Sequence, residues 1–242
     1  MSYTLEYLTK DSKQISDLAE VYGRSYNLLS AQYKSKEEMA LYTPTYFEQR
    51  VKRFAEDEKS TTLVAIEEGK PVGFARFSPV SESYLTLTKG VTFYPEKGKM
   101  DGFEYQWLRE MRMFNQPQIN EKTLMLHQIY LAPGAQHKGL GTQIFASVLP
   151  KMEEKFDKVL VEFNLANTKA RQFYVNLGFK IIGMTQDLDH ILPSDSPWGC
   201  KFCVSDVGMA ATPLKTLHEN AVKKLETRKL PLLKIRQQHE RN

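Results

Sequence analysis

The chain has 242 residues, of which 41% are hydrophobic and 26% charged, so it can bury the core of one large domain or two small ones. A net charge of +4 suits an anionic ligand without requiring nucleic acid, and no apolar run approaches the ~20 residues that cross a bilayer. Because the N-terminal residues also lack a charged-then-apolar signal pattern, we predict a cytoplasmic protein that binds neither membrane nor nucleic acid.

Two helices and a hairpin are predicted in the first third of the chain. Residues 11–29 show apolar residues at helical spacing, with Asp11 and Gln14 spaced as a capping box. Thr43 followed by Pro44 is typical of a helix start. The apolar runs at 63–66 and 72–77 flank a short turn, which predicts a β-hairpin.

Residues 78–122 separate this hairpin from the next apolar strand. A loop of that length without structure of its own would be unusual in a compact domain. We therefore predict extra strands between residues 84 and 94, and a short helix between residues 103 and 113.

A glycine-containing loop follows the next strand. Residues 124–131 are rich in apolar and aromatic residues and end before Pro133, which predicts a buried strand. The loop, Gln-His-Lys-Gly-Leu-Gly at 136–141, leads into a helix with one apolar face. Helix starts leave about four backbone N–H groups unpaired, and the helix dipole adds positive charge there. Since glycine also admits close approach, the loop predicts a phosphate or pyrophosphate site, with His137 and Lys138 as further donors.

Three other phosphate loops do not fit these residues. A P-loop ends in Gly-Lys-Ser/Thr, whereas the order here is Lys138-Gly139-Leu140. A dinucleotide loop needs a third glycine where this chain has Ile144, and the kinase motifs are absent. A tight strand–helix turn without a ligand stays open as the alternative for the loop alone. Pro150 predicts that the helix after the loop kinks or ends near Leu149.

The last third of the chain contains two further strands and a basic tail. Strands are predicted at 180–188 and 198–207, where Cys200 and Cys203 are interpreted as ordinary strand cysteines, because a structural zinc normally needs four ligands. Residues 215–242 contain eight basic and three acidic residues. We favour a solvated helix packed by its leucines and ended by Pro231 over a basic arm for an acidic partner.

Two motifs together resemble the GNAT superfamily of acyl-CoA-dependent N-acyltransferases. The first is Gln136-x-x-Gly139-x-Gly141, and the second runs from Asn167 to Phe179 as Asn-x-x-Ala-x-x-Phe-Tyr-x-x-x-Gly-Phe. The resemblance covers roughly residues 13–182 and implies an α/β (α+β) fold, with a mixed, mostly antiparallel central sheet flanked by helices. We expect an acyltransferase domain at 1–212, with 78–122 inserted between the third and fourth strands, and a basic helical tail at 213–242.

The resemblance implies acetyl-CoA as co-substrate and no metal. The pyrophosphate would lie on the loop, the pantetheine arm beside the preceding strand, and the second motif on the other side of the arm. The implied cofactor-binding residues are Ile129, Tyr130, Leu131, Gln136, His137, Lys138, Gly139, Leu140, Gly141, Thr142, Asn167, Ala170, Phe173 and Tyr174.

The implied reaction is direct transfer of the acetyl group to a primary amine within a ternary complex. Tyr174 would protonate the leaving thiolate, and His127 is the first candidate for the base, ahead of His190 and Glu162. The acceptor would be a small molecule or a peptide amine, and a homodimer is possible. Four tyrosines in the early helical region are candidate acceptor contacts or core residues: Tyr22, Tyr26, Tyr33 and Tyr46.

Several alternatives stay open. A protein of this fold could hold acyl-CoA for sensing without turnover, and the basic tail could bind nucleic acid. The insertion at 78–122 is either a cover over the acceptor site or a surface elaboration or dimer contact.

Overall fold

Ten strands form one mixed sheet in the order β10-β1-β2-β3-β6-β7-β9-β8-β5-β4. The structure is a computed structural model that describes residues 3–31, 36–40, 42–81, 90–100, 103–113, 119–165, 167–190 and 206–236. The strands are β1 Tyr3–Tyr7, β2 Thr61–Glu67, β3 Lys70–Pro79, β4 Gly90–Met100, β5 Phe103–Met113, β6 Thr123–Leu131, β7 Lys158–Asn164, β8 Lys180–His190, β9 Asp206–Pro213 and β10 Lys234–Arg236. The helices are α1 Ile15–Ser30, α2 Lys36–Ala40, α3 Pro44–Glu56, α4 Leu140–Val148, α5 Thr168–Val175 and α6 Leu214–Arg228.

Neighbouring strands pair antiparallel except at two places, where β1 pairs with β10 and β6 with β7 in parallel. Helices α1 and α3 pack on one face of the sheet around Tyr22, Phe47 and Phe74. Helices α4, α5 and α6 contribute to a second apolar cluster that contains Phe145 and Leu217. The predicted mixed, mostly antiparallel sheet with flanking helices is confirmed.

The first helices show one correct and one wrong capping prediction. Thr43 caps α3 as predicted, because its hydroxyl accepts a hydrogen bond of 3.1 Å from the Tyr46 N–H. Helix α1 begins at Ile15, not at Asp11, and it has no side-chain cap. The Gln14 side chain instead donates to a Glu6 carboxylate oxygen at 3.0 Å, so the predicted capping box does not form.

The insertion differs from its prediction. Residues 103–113 form strand β5 and not a helix, and β5 pairs with β4 over its whole length and with β8 on its other side. Ladder bonds along both edges stabilise the extended chain in a segment whose apolar spacing is ambiguous between helix and strand. The predicted strand near 84–94 corresponds to β4 from Gly90 onward, and residues 84–89 lie outside the described residues.

The chain after Phe179 follows the predictions in part. Strand β8 is confirmed, and the α-helix after the glycine loop ends at Val148 and passes into a 3-10 turn that contains Pro150, as predicted. Helix α6 buries its apolar residues and ends before Pro231, which confirms the leucine-packed interpretation of the tail. Strand β10, which joins the sheet beside β1, was not predicted. The domain division after residue 212 stays a prediction.

Several sequence features fall outside the described residues: Tyr33, Cys200, Cys203 and most of the strand predicted at 198–207, of which 206–207 begin β9. None of the helices in the described ranges has the length and apolar character needed to cross a membrane.

Candidate active site

The two parallel strands at the centre of the sheet stop pairing halfway along. Strands β6 and β7 pair from Thr123 and Lys158 to Leu126 and Val161. Beyond that point β6 continues to Leu131 against β3, and β7 continues to Asn164 against β9. Among the described strands, none pairs with their facing backbone edges there, which leaves an opening where an extended ligand could add main-chain hydrogen bonds.

A β-bulge lies where this opening begins. Phe77 pairs with Leu126 and Arg76 pairs with Gln128, so His127 is the extra residue on β6. The bulge reverses the alternation of side chains. Leu126 belongs to the cluster with α4 before the bulge, and Ile129 packs against the same cluster after it.

Backbone groups of two predicted cofactor residues point into the opening. The Ala132 N–H donates to the Val72 carbonyl on β3 at 2.8 Å. Since backbone polar groups alternate between the two edges of a strand, those of Leu131 and Ile129 face the other edge, toward the opening. The Leu131 carbonyl there accepts hydrogen bonds from the Ser25 hydroxyl and the Gln136 side chain, both at 3.0 Å. The side chain of Gln136, a predicted cofactor-binding residue, is thus hydrogen-bonded to β6.

The glycine loop has the backbone geometry of an anion-binding turn. Gly139 precedes α4 with φ +89°, and His137 has φ +61°. A residue with a side chain is strained at positive φ, which is why glycine suits position 139. The Gln143 N–H closes the first helical turn on the Gly139 carbonyl at 3.0 Å. The backbone N–H groups of the residues just before Gln143 lie in the first turn of the helix, ahead of its first intrahelical hydrogen bond. An anion is favoured at this position.

The second motif packs directly against the first turn of α4. A Cβ atom placed on Gly141 would lie 3.1 Å from Cζ of Phe173, so the absence of a side chain at 141 lets the two helices approach. The Asn167 side-chain oxygen caps α5 by accepting from the Ala170 N–H at 3.0 Å. The tertiary structure therefore brings the two motifs, separated by some 30 residues in sequence, to the same side of the opening.

Tyr174 is held by aromatic rings on that side. It is 6% exposed, and its ring centroid lies 5.4 Å from those of Phe173 and Phe179 and 5.7 Å from that of Phe163 on β7. Burial raises the pKa of the Tyr174 phenol above its ordinary value. Because a raised pKa keeps the phenol protonated at neutral pH, Tyr174 holds a proton that it can donate.

His127 lies on the opposite face of the sheet. Its Nε2 is 2.7 Å from the Ser78 hydroxyl oxygen, and that hydroxyl donates to the Pro79 carbonyl at 2.8 Å. A hydroxyl has one proton, so in this arrangement Nε2–H of His127 donates to Ser78 and Nδ1 keeps its lone pair. The ring is solvent-accessible, yet desolvation by its surroundings and then the charge of Arg76 lower its pKa to about 4.

The charge beside His127 is itself fixed by an ion pair. Arg76 donates to the Asp57 carboxylate and lies 4.8 Å from the centroid of the Phe54 ring. Burial alone would raise the pKa of Asp57, but hydrogen bonds from Arg76, Ser60 and the Lys59 N–H lower it overall. Asp57 therefore stays ionised at neutral pH and keeps Arg76 in place beside His127.

We expect the His127 ring to titrate far below an ordinary histidine. In an NMR titration of the ring protons, its midpoint should fall near pH 4 and not near the usual ~6.5. In Arg76→Gln the midpoint should move upward, because the repelling charge is gone and Asp57 then attracts the imidazolium. A native midpoint close to ~6.5 would contradict the described environment of His127.

Three of the four tyrosines that were candidate acceptor contacts or core residues, Tyr22, Tyr26 and Tyr46, form an aromatic wall between α1, α3 and the sheet. The Tyr22 ring lies 6.2 Å from Tyr26 and 4.8 Å from Tyr130. Gln128 donates to the Tyr22 hydroxyl at 3.1 Å, and burial raises the pKa of Tyr22 to about 12. Because of the bulge, Tyr130 faces this wall while its neighbour Ile129 faces the cluster around α4. Tyr46 is buried in the same wall.

Sequence reasoning did not find four residues that shape the site. Ser25 binds the Leu131 carbonyl, Ser78 orients His127, and Arg76 with Asp57 sets the charge beside it. No local motif marks them, because each acts on a residue distant in sequence. The weaker base candidates lie on strands, with His190 ending β8 opposite Trp107 and Glu162 half-buried on β7. Among the described residues, no cluster of three His, Cys, Asp or Glu is placed to hold a metal ion.

Comparison with known proteins gives a consistent picture. The profile of the acetyltransferase (GNAT) family matches residues 24–179. PaiA N-acetyltransferase from Thermoplasma acidophilum, solved with coenzyme A, is 15% identical with a TM-score of 0.51, over 86% of this chain and 98% of that one. PH1933 from Pyrococcus horikoshii OT3 is 16% identical with a TM-score of 0.53, over 88% and 98%.

A third similar structure is that of YncA from Salmonella typhimurium, solved with acetyl-CoA, at 16% identity and a TM-score of 0.51 over 88% of this chain and 95% of that one. At these identities the likeness establishes the fold. No curated protein matches the sequence.

Proposed function

Because this chain belongs to the GNAT acetyltransferase family, we propose that it transfers the acetyl group of acetyl-CoA to a primary amine by direct attack within a ternary complex. Acetyl-CoA is the co-substrate of such an acetyltransferase.

One observation carries the proposal: among the described strands the β6 edge beyond the bulge has no strand partner, and it lies between the cluster that holds Tyr174 on one face of the sheet and His127 on the other. A pantetheine arm extended along Ile129 and Leu131 would bring the thioester into this opening. An acceptor that enters past the aromatic wall of Tyr22 and Tyr26 would then meet the thioester from the His127 side. The two substrates would approach from opposite faces and meet at the thioester, which gives the proximity that direct transfer requires.

In the proposed step the amine nitrogen attacks the thioester carbon, and the C–S bond breaks as the new C–N bond forms. The Ile129 N–H would stabilise the developing oxyanion, a contribution commonly worth a few kcal/mol. Tyr174 would donate its proton to the leaving thiolate. The attacking nitrogen would lose its surplus proton to solvent once the C–N bond has formed, and solvent would return one proton to the phenolate. Asn167, Ala170 and Phe173 would hold the arm from the α5 side.

The attacking amine must first lose a proton, since an ordinary alkylammonium has a pKa near ~10.4. With its pKa lowered to about 4, His127 is neutral but a weak base. We therefore propose that Nδ1 of His127 passes the amine proton to solvent and does not store it. Under this proposal the acid limb of the pH–rate profile follows ionisation of the acceptor amine and not of His127.

The phosphate end of the cofactor would lie on the glycine loop. The backbone N–H groups from Lys138 to Thr142, which include those of Gly139, Leu140 and Gly141, are proposed to bind the pyrophosphate. His137 and Lys138 would add donors at the entrance.

We also propose that residues 1–212 form the transferase domain, that the enzyme is cytoplasmic, and that a homodimer is the assembly to test by sedimentation.

The proposed function is tested with purified protein, acetyl-CoA and a panel of amines: a polyamine, an amino acid, an aminoglycoside and a peptide with a free N-terminus. We expect release of free thiol with at least one acceptor, and the acetylated amine by mass spectrometry. Calorimetric titration with acetyl-CoA, desulfo-CoA and ATP checks cofactor binding separately. Binding of acetyl-CoA without thiol release across the panel would favour a non-catalytic acyl-CoA-binding protein.

A further inference from the structure

The last turn of the C-terminal helix α6 lies on the glycine loop. Nη2 of Arg228 donates to the His137 carbonyl at 3.0 Å. Nη1 lies 3.2 Å from the position that a Cβ atom on Gly139 would take. A guanidinium has five N–H donors, so most of those on Arg228 remain available for a ligand after the bond to His137. The tail therefore places a permanent positive charge beside the loop.

Contacts on both sides of Arg228 hold this turn in place. The Gln143 side chain on α4 donates to the Pro231 carbonyl at 2.8 Å, and the Leu233 N–H donates to the Ser147 hydroxyl at 2.7 Å. Strand β10 then pairs with β1. Because α4 itself begins at the loop, these bonds fix the position of Arg228 relative to the loop N–H groups.

A cavity of about 380 Å³ opens one helical turn away from Arg228. It lies between the end of α5 and α6, and Asn176, Asn220, Lys224 and Thr227 line it together with Lys223. Lys224, Thr227 and Arg228 stand at i, i+3 and i+4, so they share one face of α6. Val175 and Gly178 complete the lining. Its amide, hydroxyl and ammonium groups are possible donors to an anion.

Among the residues that the structure describes, no carboxylate pairs with the positive charges along this face of α6. Lys224 and Arg228 are four residues apart, a spacing at which like charges on a helix repel. Burial and then the charge of Arg228 lower the pKa of Lys224. None of the ion pairs that the structure describes joins Lys224 or Arg228 to a carboxylate. An anion bound between the two cations would remove this repulsion.

We propose that Lys224 and Arg228 bind the 3′-phosphate of the coenzyme A moiety. This inference rests on the proposed placement of the pyrophosphate on the glycine loop. The 3′-phosphate is attached to the same ribose that carries the pyrophosphate at its 5′ position, so it lies about one sugar away. Four residues of helix span about 6 Å. The separation of Lys224 and Arg228 along α6 is therefore similar to the distance across the ribose that joins the two phosphate groups. The C-terminal tail thus selects coenzyme A derivatives that carry the 3′-phosphate.

The test compares the dissociation constants of acetyl-CoA and 3′-dephospho-acetyl-CoA by calorimetry at one ionic strength. For the wild-type protein we expect acetyl-CoA to bind about tenfold more tightly, because a charge-assisted hydrogen bond is worth about that factor. In Lys224→Ala/Arg228→Ala this ratio should fall to about twofold or less, while binding of the dephospho compound stays near its wild-type value. Lys151→Ala/Lys215→Ala, which removes the same two positive charges at exposed positions, should keep the wild-type ratio.

Each other outcome contradicts the inference in a distinct way. Equal binding of the two ligands by the wild-type protein would show that the tail does not contact the 3′-phosphate, although acetyl-CoA binding would still support the proposed function. An equal loss of both ligands in the double variant would assign Lys224 and Arg228 to the pyrophosphate or to folding. A wild-type protein that binds neither ligand would overturn the proposed function and this inference together.

Discussion

Replacing Tyr174 by Phe is expected to lower kcat by about 100-fold or more, because general acid catalysis typically contributes a factor of 10² to 10⁴. Burial raises the pKa of the phenol, so in the wild-type enzyme the proton is present throughout the neutral range. The variant keeps the ring contacts with Phe163 and Phe179. The affinity for acetyl-CoA and the thermal midpoint should therefore change little.

The matched control is Tyr3→Phe. Tyr3 lies on β1 and is 8% exposed, close to the 6% of Tyr174, but it is not part of the opening between β6 and β7. Removing its hydroxyl should leave kcat near the wild-type value. An unchanged kcat in Tyr174→Phe, measured by thiol release at saturating acceptor, would eliminate Tyr174 as the acid and leave it a packing role.

The second large effect is expected for Gly139→Ala. The new Cβ would stand 2.4 Å from Cδ1 of Leu230 and would place alanine at φ +89°. A side chain at left-handed φ costs about 1–2 kcal/mol. If the loop relaxes to escape this strain, acetyl-CoA must restore the strained geometry when it binds. We therefore expect the Kd for acetyl-CoA to rise about 5- to 30-fold in calorimetric titration.

The control variant Gly69→Ala distinguishes the effect of backbone strain on stability from the effect of the glycine loop on acetyl-CoA binding. Gly69 lies in the β2–β3 turn at φ +80°, and a Cβ there would meet no atom within 4 Å. Gly69→Ala should lose about 1–2 kcal/mol of unfolding free energy, and Gly139→Ala should lose at least as much because its Cβ also meets Leu230. Only Gly139→Ala should bind acetyl-CoA more weakly. Equal Kd values in the two variants would mean that the loop geometry does not control cofactor binding.

The core of the site could be predicted because its determinants are local. The strand before the loop, the helix after it and the early end of that helix before Pro150 each depend on residues only a few positions apart. The Thr43 cap and the β2–β3 hairpin are of the same kind. Apolar periodicity, cap chemistry and turn residues act over one or two turns of chain, and they are visible in the sequence.

The insertion was mispredicted because its strands are stabilised by distant partners. Residues 103–113 are extended because β4 lies on one side and β8 on the other, and β8 lies some 70 residues further along the chain. The β4–β5 hairpin follows β3 in the sequence, but in the sheet it lies at the far edge, next to β8. No local pattern in these residues specifies that edge, since strand preference depends strongly on neighbours.

The environment of His127 could not be predicted from the sequence for a similar reason. The bulge at His127 reverses the alternation of β6, so sequence spacing alone assigns the wrong face to one half of the strand. The low pKa of His127 then comes from desolvation and from Arg76, which is 51 residues away in sequence. The sequence named the histidine as a candidate base, but only the folded protein shows how weak a base it is.

The sequence by itself determined the family resemblance, the strand–loop–helix unit with its glycines, and the phenol of Tyr174, because these features lie within short segments of chain. The tertiary structure alone decided the order of the strands, the face of His127 and the position of Arg228 on the glycine loop. Arg228 and His137 are 91 residues apart, and their hydrogen bond exists only because α6 packs its leucines against the core. Contacts at such separations depend on how all the intervening elements pack, which local sequence patterns do not contain.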